Sequence, residues 1–299
     1  MGNIVVVGSV NMDYTAVVNK LPVVGETLLA HDFKLSGGGK GANQAMAAAI
    51  FSDNVKMIGM VGDDIIGHAL VEKMQEKGID VSCVEFCEIP TGTALINVDH
   101  SGRNTIVVYP GANQQLTPQI IEKYRDVIES ADVVMMQLEI PLETVEAVAE
   151  IAHQAKVDVL LNPAPAQPLS RELLSKITYL TPNETELLRL ASSLETHKGA
   201  QILRDQGVKN VVVTLGDKGC YVKTDSMDQR VESYRVNAID TTAAGDSFSG
   251  ALAANLAKGH CLMSSIKIAN ATGALTTTKV GAQEALPTKA EVSELIGRK

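Results

Sequence analysis

The chain is 299 residues long and 45% hydrophobic, enough for one large domain with a sizeable core. Its formal net charge of −9, with no basic run or basic–aromatic stripe, argues against nucleic acid and an anionic membrane surface as partners. No charged leader with an apolar core opens the chain, so a cytoplasmic location is expected, and the four cysteines and six histidines fit no zinc or redox spacing.

Short apolar runs alternate with helical patterns. The spacing predicts strands at Ile4–Val7, Lys56–Met60, Val133–Gln137, Asp158–Asn162, Tyr179–Thr181 and Val211–Leu215. Helices are predicted at Ala42–Phe51, Gly67–Lys77, Thr117–Glu129, Pro141–Lys156, Ser170–Lys176, Glu184–Ser193 and His197–Asp205, and a further one after Gly245 that stops near Gly259. Several strands are apolar on both faces, as in a parallel sheet covered by helices. The expected fold is a single α/β domain over 1–299, a three-layer α/β/α sandwich around a mainly parallel sheet. Two β-rich excursions, at about 14–35 and 92–109, interrupt the alternation. Together they predict a small β-sheet lid, one face toward a site and the other toward a second subunit; a decorated sheet edge is the plainer alternative.

Five stretches could carry chemistry. In GSVNMD, Asn11 and Asp13 follow the first strand, where open α/β sheets bind ligands, and suit sugar hydroxyls as well as a simple turn. In SGGGKGANQA, three successive glycines before a helix suit close approach of a ligand to the backbone. Lys40 there would meet a phosphate or a sugar oxygen and Asn43 two hydroxyls; Gly41 after Lys40 excludes a Walker A loop. Glu139 ends another buried strand at the same sheet edge. In TPNETE, Asn183 and Glu186 share a helical face and serve equally as a cap or as holders of the waters around Mg²⁺. TLGDKG, Thr214–Gly219, suits a hairpin turn or a path for a nucleotide.

The stretch DTTAAGDSFSG, residues 240–250, puts small residues and then an acid at a helix start. Free N–H groups at Ala243, Ala244, Gly245 and Asp246 would hold a phosphoryl group. Asp246 would then take a proton from a neutral hydroxyl beside that anion. Capping by Asp240 and a dipole-favoured Asp246 is the alternative.

In this order the motifs resemble the ribokinase-like carbohydrate kinase family, over nearly the whole chain. DTTAAGDSFSGAL and GGGKGANQAMAAA are similar to its two signatures, and NMD, MQLE, TPNETE, TLGDKG and KVGAQ fall in order between and after them. The resemblance implies ATP-dependent phosphorylation of D-ribose at its 5-hydroxyl. It makes Asp246 the catalytic base and the Ala243–Asp246 amides the anion hole. It assigns Asn11, Asp13, Gly38, Gly39, Lys40, Asn43 and Glu139 to the sugar. Asn183, Glu186, the segment Thr214, Leu215, Gly216, Asp217, Lys218, Gly219, and Asn270 would serve ATP and Mg²⁺. A potassium ion is implied beside the anion hole, at Asp240, Thr242, Thr276, Lys279 and Gly281, partly through carbonyls. Ala285 stands where members often have Ser, which implies weaker cation binding. A sister kinase for fructose, 2-deoxyribose or a nucleoside, a non-catalytic sensor, and a dehydrogenase are the rival readings. The scarcity of aromatics disfavours a nucleoside, and the GSVN turn lacks dehydrogenase glycine spacing.

Overall fold

The computed structural model describes residues 2–298. Its main sheet has nine strands. Parallel to one another run β1 (Ile4–Val7), β4 (Val55–Gly62), β5 (Asp80–Cys87), β8 (Val133–Met136), β9 (Asp158–Leu161), β10 (Tyr179–Leu180) and β11 (Asn210–Thr214). Antiparallel β12 (Cys220–Lys223) and β13 (Asp228–Val231) finish one edge, in the order β13-β12-β11-β10-β9-β8-β1-β4-β5. β1 lies in the interior of the sheet, and its period-two side chains split between two cores. Val5 and Val7 join α5 (Leu142–Gln154), α6 (Arg171–Ser175), α7 (Glu184–Ala191) and α8 (Thr196–Asp205). Ile4 and Val6 join α1 (Lys40–Ala49), α2 (Ile65–Glu76), α9 (Ala244–Ala257), α10 (Leu262–Thr276) and α11 (Lys289–Gly297). This is the expected three-layer sandwich.

The helix predicted over 117–129 is two short ones, α3 (Pro118–Glu122) and α4 (Arg125–Glu129). At the break Lys123 and Tyr124 both bond Glu85 on β5. The pattern does not predict strands β5, β12 and β13, because the first is mixed in polarity, the others are only four residues long, and β13 is an exposed edge. Among the described residues no helix is long and apolar enough to cross a membrane.

The two excursions form a separate four-stranded sheet, β3-β2-β6-β7. Its strands are β2 (Asn11–Val18), β3 (Asp32–Gly38), β6 (Gly92–Asp99) and β7 (Asn104–Tyr109). The first excursion is wider than expected: β2 begins at Asn11 and β3 runs to Gly38. Asn11 and Asp13 are therefore strand residues and not a turn. The hairpin loop between β6 and β7 is held by the Asp99 carboxylate, which accepts from Ser101 and Arg103.

α1 and α9 pack very closely. Along their contact α1 has Ala45, Ala47 and Ala48, and α9 has Gly250, Ala251, Ala253 and Ala254, all buried. A Cβ at Gly250 would lie 2.5 Å from the Gln44 carbonyl oxygen and 2.6 Å from the Ala47 Cβ. Gly250→Val should therefore cost stability by about 1–3 kcal/mol, the usual range for overpacking. It should also reduce turnover by forcing apart the helices that carry Asn43 and Asp246. Denaturant unfolding together with kcat checks both, and unchanged values would show that the interface yields freely.

Candidate active site

The site lies where the lid sheet meets the carboxyl ends of β1, β8, β9 and β10. Asp246 sits in the first turn of α9 and is 7% exposed. Its Oδ1 accepts from Gln44 Nε2 at 2.9 Å and its Oδ2 from Asn43 Nδ2 at 3.2 Å. Gln44 is itself fixed: its Nε2 also reaches Asn162 Oδ1, and its Oε1 accepts from Gln137 Nε2 at 2.7 Å. A buried amide ladder thus aims the carboxylate, although Gln137 Oε1 is buried without a hydrogen-bond partner among the described residues.

The turn before α9 carries the anion-hole candidates. Ala243 is left-handed at φ 56°, a strained state for a residue with a Cβ. The N–H of Ala244 donates to Thr241 O at 3.3 Å. Those of Gly245 and Asp246 have no protein acceptor among the described residues. A Cβ at Gly245 would meet no atom within 4 Å, so this face of the turn is open. Two free amides at a helix N-terminus suit a phosphoryl oxygen.

The sugar candidates converge on the same place. Asn11 Oδ1 accepts from Asn113 Nδ2 at 2.7 Å, and Asn113 Oδ1 accepts from the Val10 N–H. Glu139 Oε2 accepts from Ser9 Oγ at 2.6 Å and from the Lys40 N–H at 3.0 Å. Gly39 has φ 83°, and a Cβ there would strike the Asn11 N–H nitrogen at 2.7 Å. A Cβ at Gly38 would come within 2.3 Å of both Asp13 carboxylate oxygens. The glycines are thus needed for close approach between protein groups as well as to a ligand. Asn43 Oδ1 also accepts from Gln283 Nε2 at 3.2 Å.

The electrostatics are lopsided. Lys40 is held above its ordinary pKa, most by Asp246 and then by Glu139, Glu186 and Asp13, against the opposing effect of burial. Burial also pushes Asp13 up to about 7, with Glu139, Asp246 and Glu284 adding to it and Lys40 opposing. One ammonium among this many carboxylates leaves room for added positive charge.

Asn183 and Glu186 form a capping box at the start of α7: Glu186 Oε2 accepts the Asn183 N–H, and Asn183 Oδ1 accepts the Glu186 N–H, both at 2.8 Å. The capping reading is therefore correct. The cap leaves spare carboxylate lone pairs, and burial raises the Glu186 pKa. Thr214 ends β11 beside Asn183, and Leu215–Gly219 is a tight turn into β12, with Gly216 at φ 59° and Gly219 at φ 86°. Asn270 is turned under β13, its Nδ2 3.4 Å from the Val231 and Glu232 carbonyls, so its side chain braces an edge strand.

Of the cation candidates, Asp240 joins two segments: Oδ1 accepts from Thr242, and Oδ2 from the Gly281 N–H at 2.9 Å. Burial pushes its pKa up, but these hydrogen bonds outweigh that and hold it below the usual range. Thr276 Oγ1 donates to Ser247 Oγ, and Lys279 Nζ pairs with Glu291 at 3.1 Å, away from the turn. Ala285 is fully buried and offers only its backbone.

Residues 1–289 match the family described as pfkB family carbohydrate kinase. The chain belongs to that family. The ribokinase of Haemophilus influenzae is 39% identical over 297 residues, 97% of either chain. The crystal structure of Thermotoga maritima ribokinase superposes with a TM-score of 0.93 at 34% identity, over 99% of this chain and 100% of that one. The structure of Arabidopsis thaliana ribokinase complexed with ribose and ATP gives a TM-score of 0.90 at 31% identity, over 99% of each.

Sequence reasoning about this carbohydrate kinase missed Ser9, Gln44, Asn113, Gln137, Asn162 and Gln283. A usable signal existed for Gln137 and Asn162, each the polar end of an apolar strand run, as Glu139 nearly is. Nothing in the sequence pairs Asn113 with Asn11.

The Asp13 shift has a pH consequence in the kinase. Below about 7 its carboxyl is protonated and loses capacity to accept hydroxyl hydrogen bonds; above, it is ionised. Catalytic efficiency toward the sugar should rise with pH through about 7, and Asp13→Asn should flatten that limb. Folding stability should run the other way. The folded pKa lies above the ordinary aspartate value of 3.8, so stability present below 3.8 is lost as pH rises through about 7. A kcat/KM profile and pH-dependent unfolding test the two halves separately.

Proposed function

We propose that the kinase transfers the γ-phosphoryl group of ATP to the 5-hydroxyl of D-ribose, giving D-ribose 5-phosphate. The observation that carries the reading is the placement of Asp246, aimed by Gln44 and Asn43 and adjacent to the free amides of Gly245 and Asp246. Asn11, Asp13, Lys40, Asn43, Glu139 and the Gly38–Gly39 backbone hold the sugar. Asp246 takes the proton of the 5-hydroxyl as its oxygen bonds to the γ-phosphorus. The bond from that phosphorus to the bridging oxygen breaks and ADP leaves. The amides at the start of α9 receive the charge developing on the phosphoryl oxygens. The lid sheet closes over the sugar and keeps water from competing as acceptor.

Mg²⁺ supplies charge neutralisation on the phosphates when bound. Asn183 and Glu186 fit as holders of its waters, since an oxygen-preferring, hydrated ion needs few protein ligands and the site has carboxylates in excess. The 214–219 turn flanks the nucleotide, with Asn270 acting behind it.

A test is ADP release with ribose, fructose and 2-deoxyribose. Ribose should give the highest efficiency, because a site built to bond a hydroxyl rejects the analogue lacking it. Asp246→Asn should keep ATP binding and lose about 10²- to 10⁴-fold in turnover, the usual worth of a general base. Equal efficiency for 2-deoxyribose would indicate a broader sugar kinase, and turnover within a few-fold of wild type in the variant would remove Asp246 as base.

Segments 240–242 and 276–285 also fit a potassium ion. They are tied by the Asp240–Gly281 bond and by the Ile239 and Asp240 N–H groups on Thr277 O, and the Lys279 charge is drawn away. Carbonyl and carboxylate oxygens of Asp240, Thr242, Thr276, Lys279, Gly281 and Ala285 would hold it. Potassium should activate more than sodium or a bulky organic cation at equal ionic strength. Ala285→Ser should lower the concentration for half-activation, and indifference to the cation's identity would refute the site.

The lid supports a homodimer. Strand register and alternation put Tyr14, Phe33, Leu35, Leu95, Val107 and Tyr109 on the face opposite Asp13. Phe33, Leu35, Leu95, Val107 and Tyr109 are each more than half exposed. An apolar face of this kind on a small sheet marks an association surface. Sedimentation at micromolar concentration should show a dimer, and Leu95→Glu with Val107→Glu should yield monomer; a monomeric wild type would overturn the assignment.

A further inference from the structure

A cavity of about 620 Å³ opens at the other end of α9. Lys258, the C-cap of that helix, lines it and stands twelve residues beyond Asp246, about 18 Å along a helix axis. The floor is apolar, made by Phe51, Ile268, Val292 and Ile296. The titratable groups around it are Lys258, Lys267, Lys289 and His260, and no carboxylate lines the cavity. Ser264 and Lys267 stand one turn apart on α10, and Lys289 and Ser293 one turn apart on α11, so two helices present hydroxyl and ammonium groups from two sides.

These lysines hold no carboxylate at ion-pair distance. None of the three forms an ion pair among the described residues, whereas Lys73, Lys123, Lys176 and Lys279 each hold a carboxylate. Lys258 Nζ donates to the Phe51 carbonyl, which leaves two of its hydrogens for another acceptor. Burial pushes the Lys258 ammonium down, Lys289 pushes it further, and Asp53 opposes them. In a chain of net charge −9, this concentration of unneutralised positive charge over an apolar floor is a local exception.

We infer that this cavity binds a small organic anion, an apolar or ring-shaped body carrying one phosphate, sulfonate or carboxylate group. The volume lies within the range typical of ligand sites, about 300–1,000 Å³. The body covers the floor while the anionic group meets Lys258, Lys267 and Lys289 at the rim. The inference is independent of which sugar the kinase phosphorylates.

The test uses the full chain with its nucleotide cleft filled by a non-hydrolysable ATP analogue. 8-Anilinonaphthalene-1-sulfonate is titrated and its fluorescence followed. Saturable binding of one probe per chain is expected. Lys267→Gln and Lys289→Gln should each weaken it by about fivefold or more, as removal of one partly exposed ion pair does. N-Phenyl-1-naphthylamine, the same rings without the sulfonate, should bind wild type and variants alike, and more weakly than the sulfonate binds wild type. Unchanged sulfonate affinity in both variants, equal affinity for the uncharged amine, or binding that never saturates would each overturn the site. Ile268→Glu places a carboxylate among the lysines and should abolish binding. Circular dichroism and kinase turnover of each variant confirm that the fold is retained.

Discussion

The near-contact of α1 and α9 is the constraint on which the site depends. Gly250 lets the two helix backbones approach, and the alanines around it leave nothing to hold them apart. Because the N-termini of both helices point toward the lid, this approach sets the glycine-rich turn before α1 beside the turn before α9. Asn43 and Gln44 then reach Asp246 directly. The strongest sequence signals, two small-residue motifs some 200 positions apart, are two halves of one packing event.

Charge is organised around the same point. Lys40 stands among Asp13, Glu139, Glu186 and Asp246, drawn from four parts of the chain. Its raised pKa and that of Asp13 express one imbalance, too many acids for the available cation in a partly dry place. Like charges crowded this way repel one another. A cation placed among these carboxylates would relieve that repulsion.

Much of this was legible in the chain. The central parallel strands were clear because both faces are buried, and Asp246, Lys40 and Asn43 stood out in motifs dense in small residues. The lid was legible as two β-rich interruptions, although its strands reach further toward the core than polarity suggested, because Gly37, Gly38 and Asn11 carry no strand signal. The amide ladder of Gln44, Gln137 and Asn162 was not legible. Each is a single polar residue in an apolar context, and only three-dimensional proximity shows that Gln44 bonds both of the others. The hairpin of β12 and the edge strand β13 escaped for a related reason, since short polar hairpins share their composition with loops.

Strand β2 carries Asn11 and Asp13 on one face and Tyr14 on the other, in a fixed register with Gly38, Ser36 and Leu35 of β3. Side chains on a strand alternate with a period of two, so a slip of one residue exchanges the faces. A single-residue insertion between Gly8 and Asn11 would turn the Asp13 carboxylate outward and bring the Tyr14 ring in over the cleft. Insertions at the far tips, in 19–31 or 100–103, would leave both faces as they are. Evolution can therefore lengthen or reshape this lid freely at its ends. At its root, the polar and apolar faces can be altered only one side chain at a time.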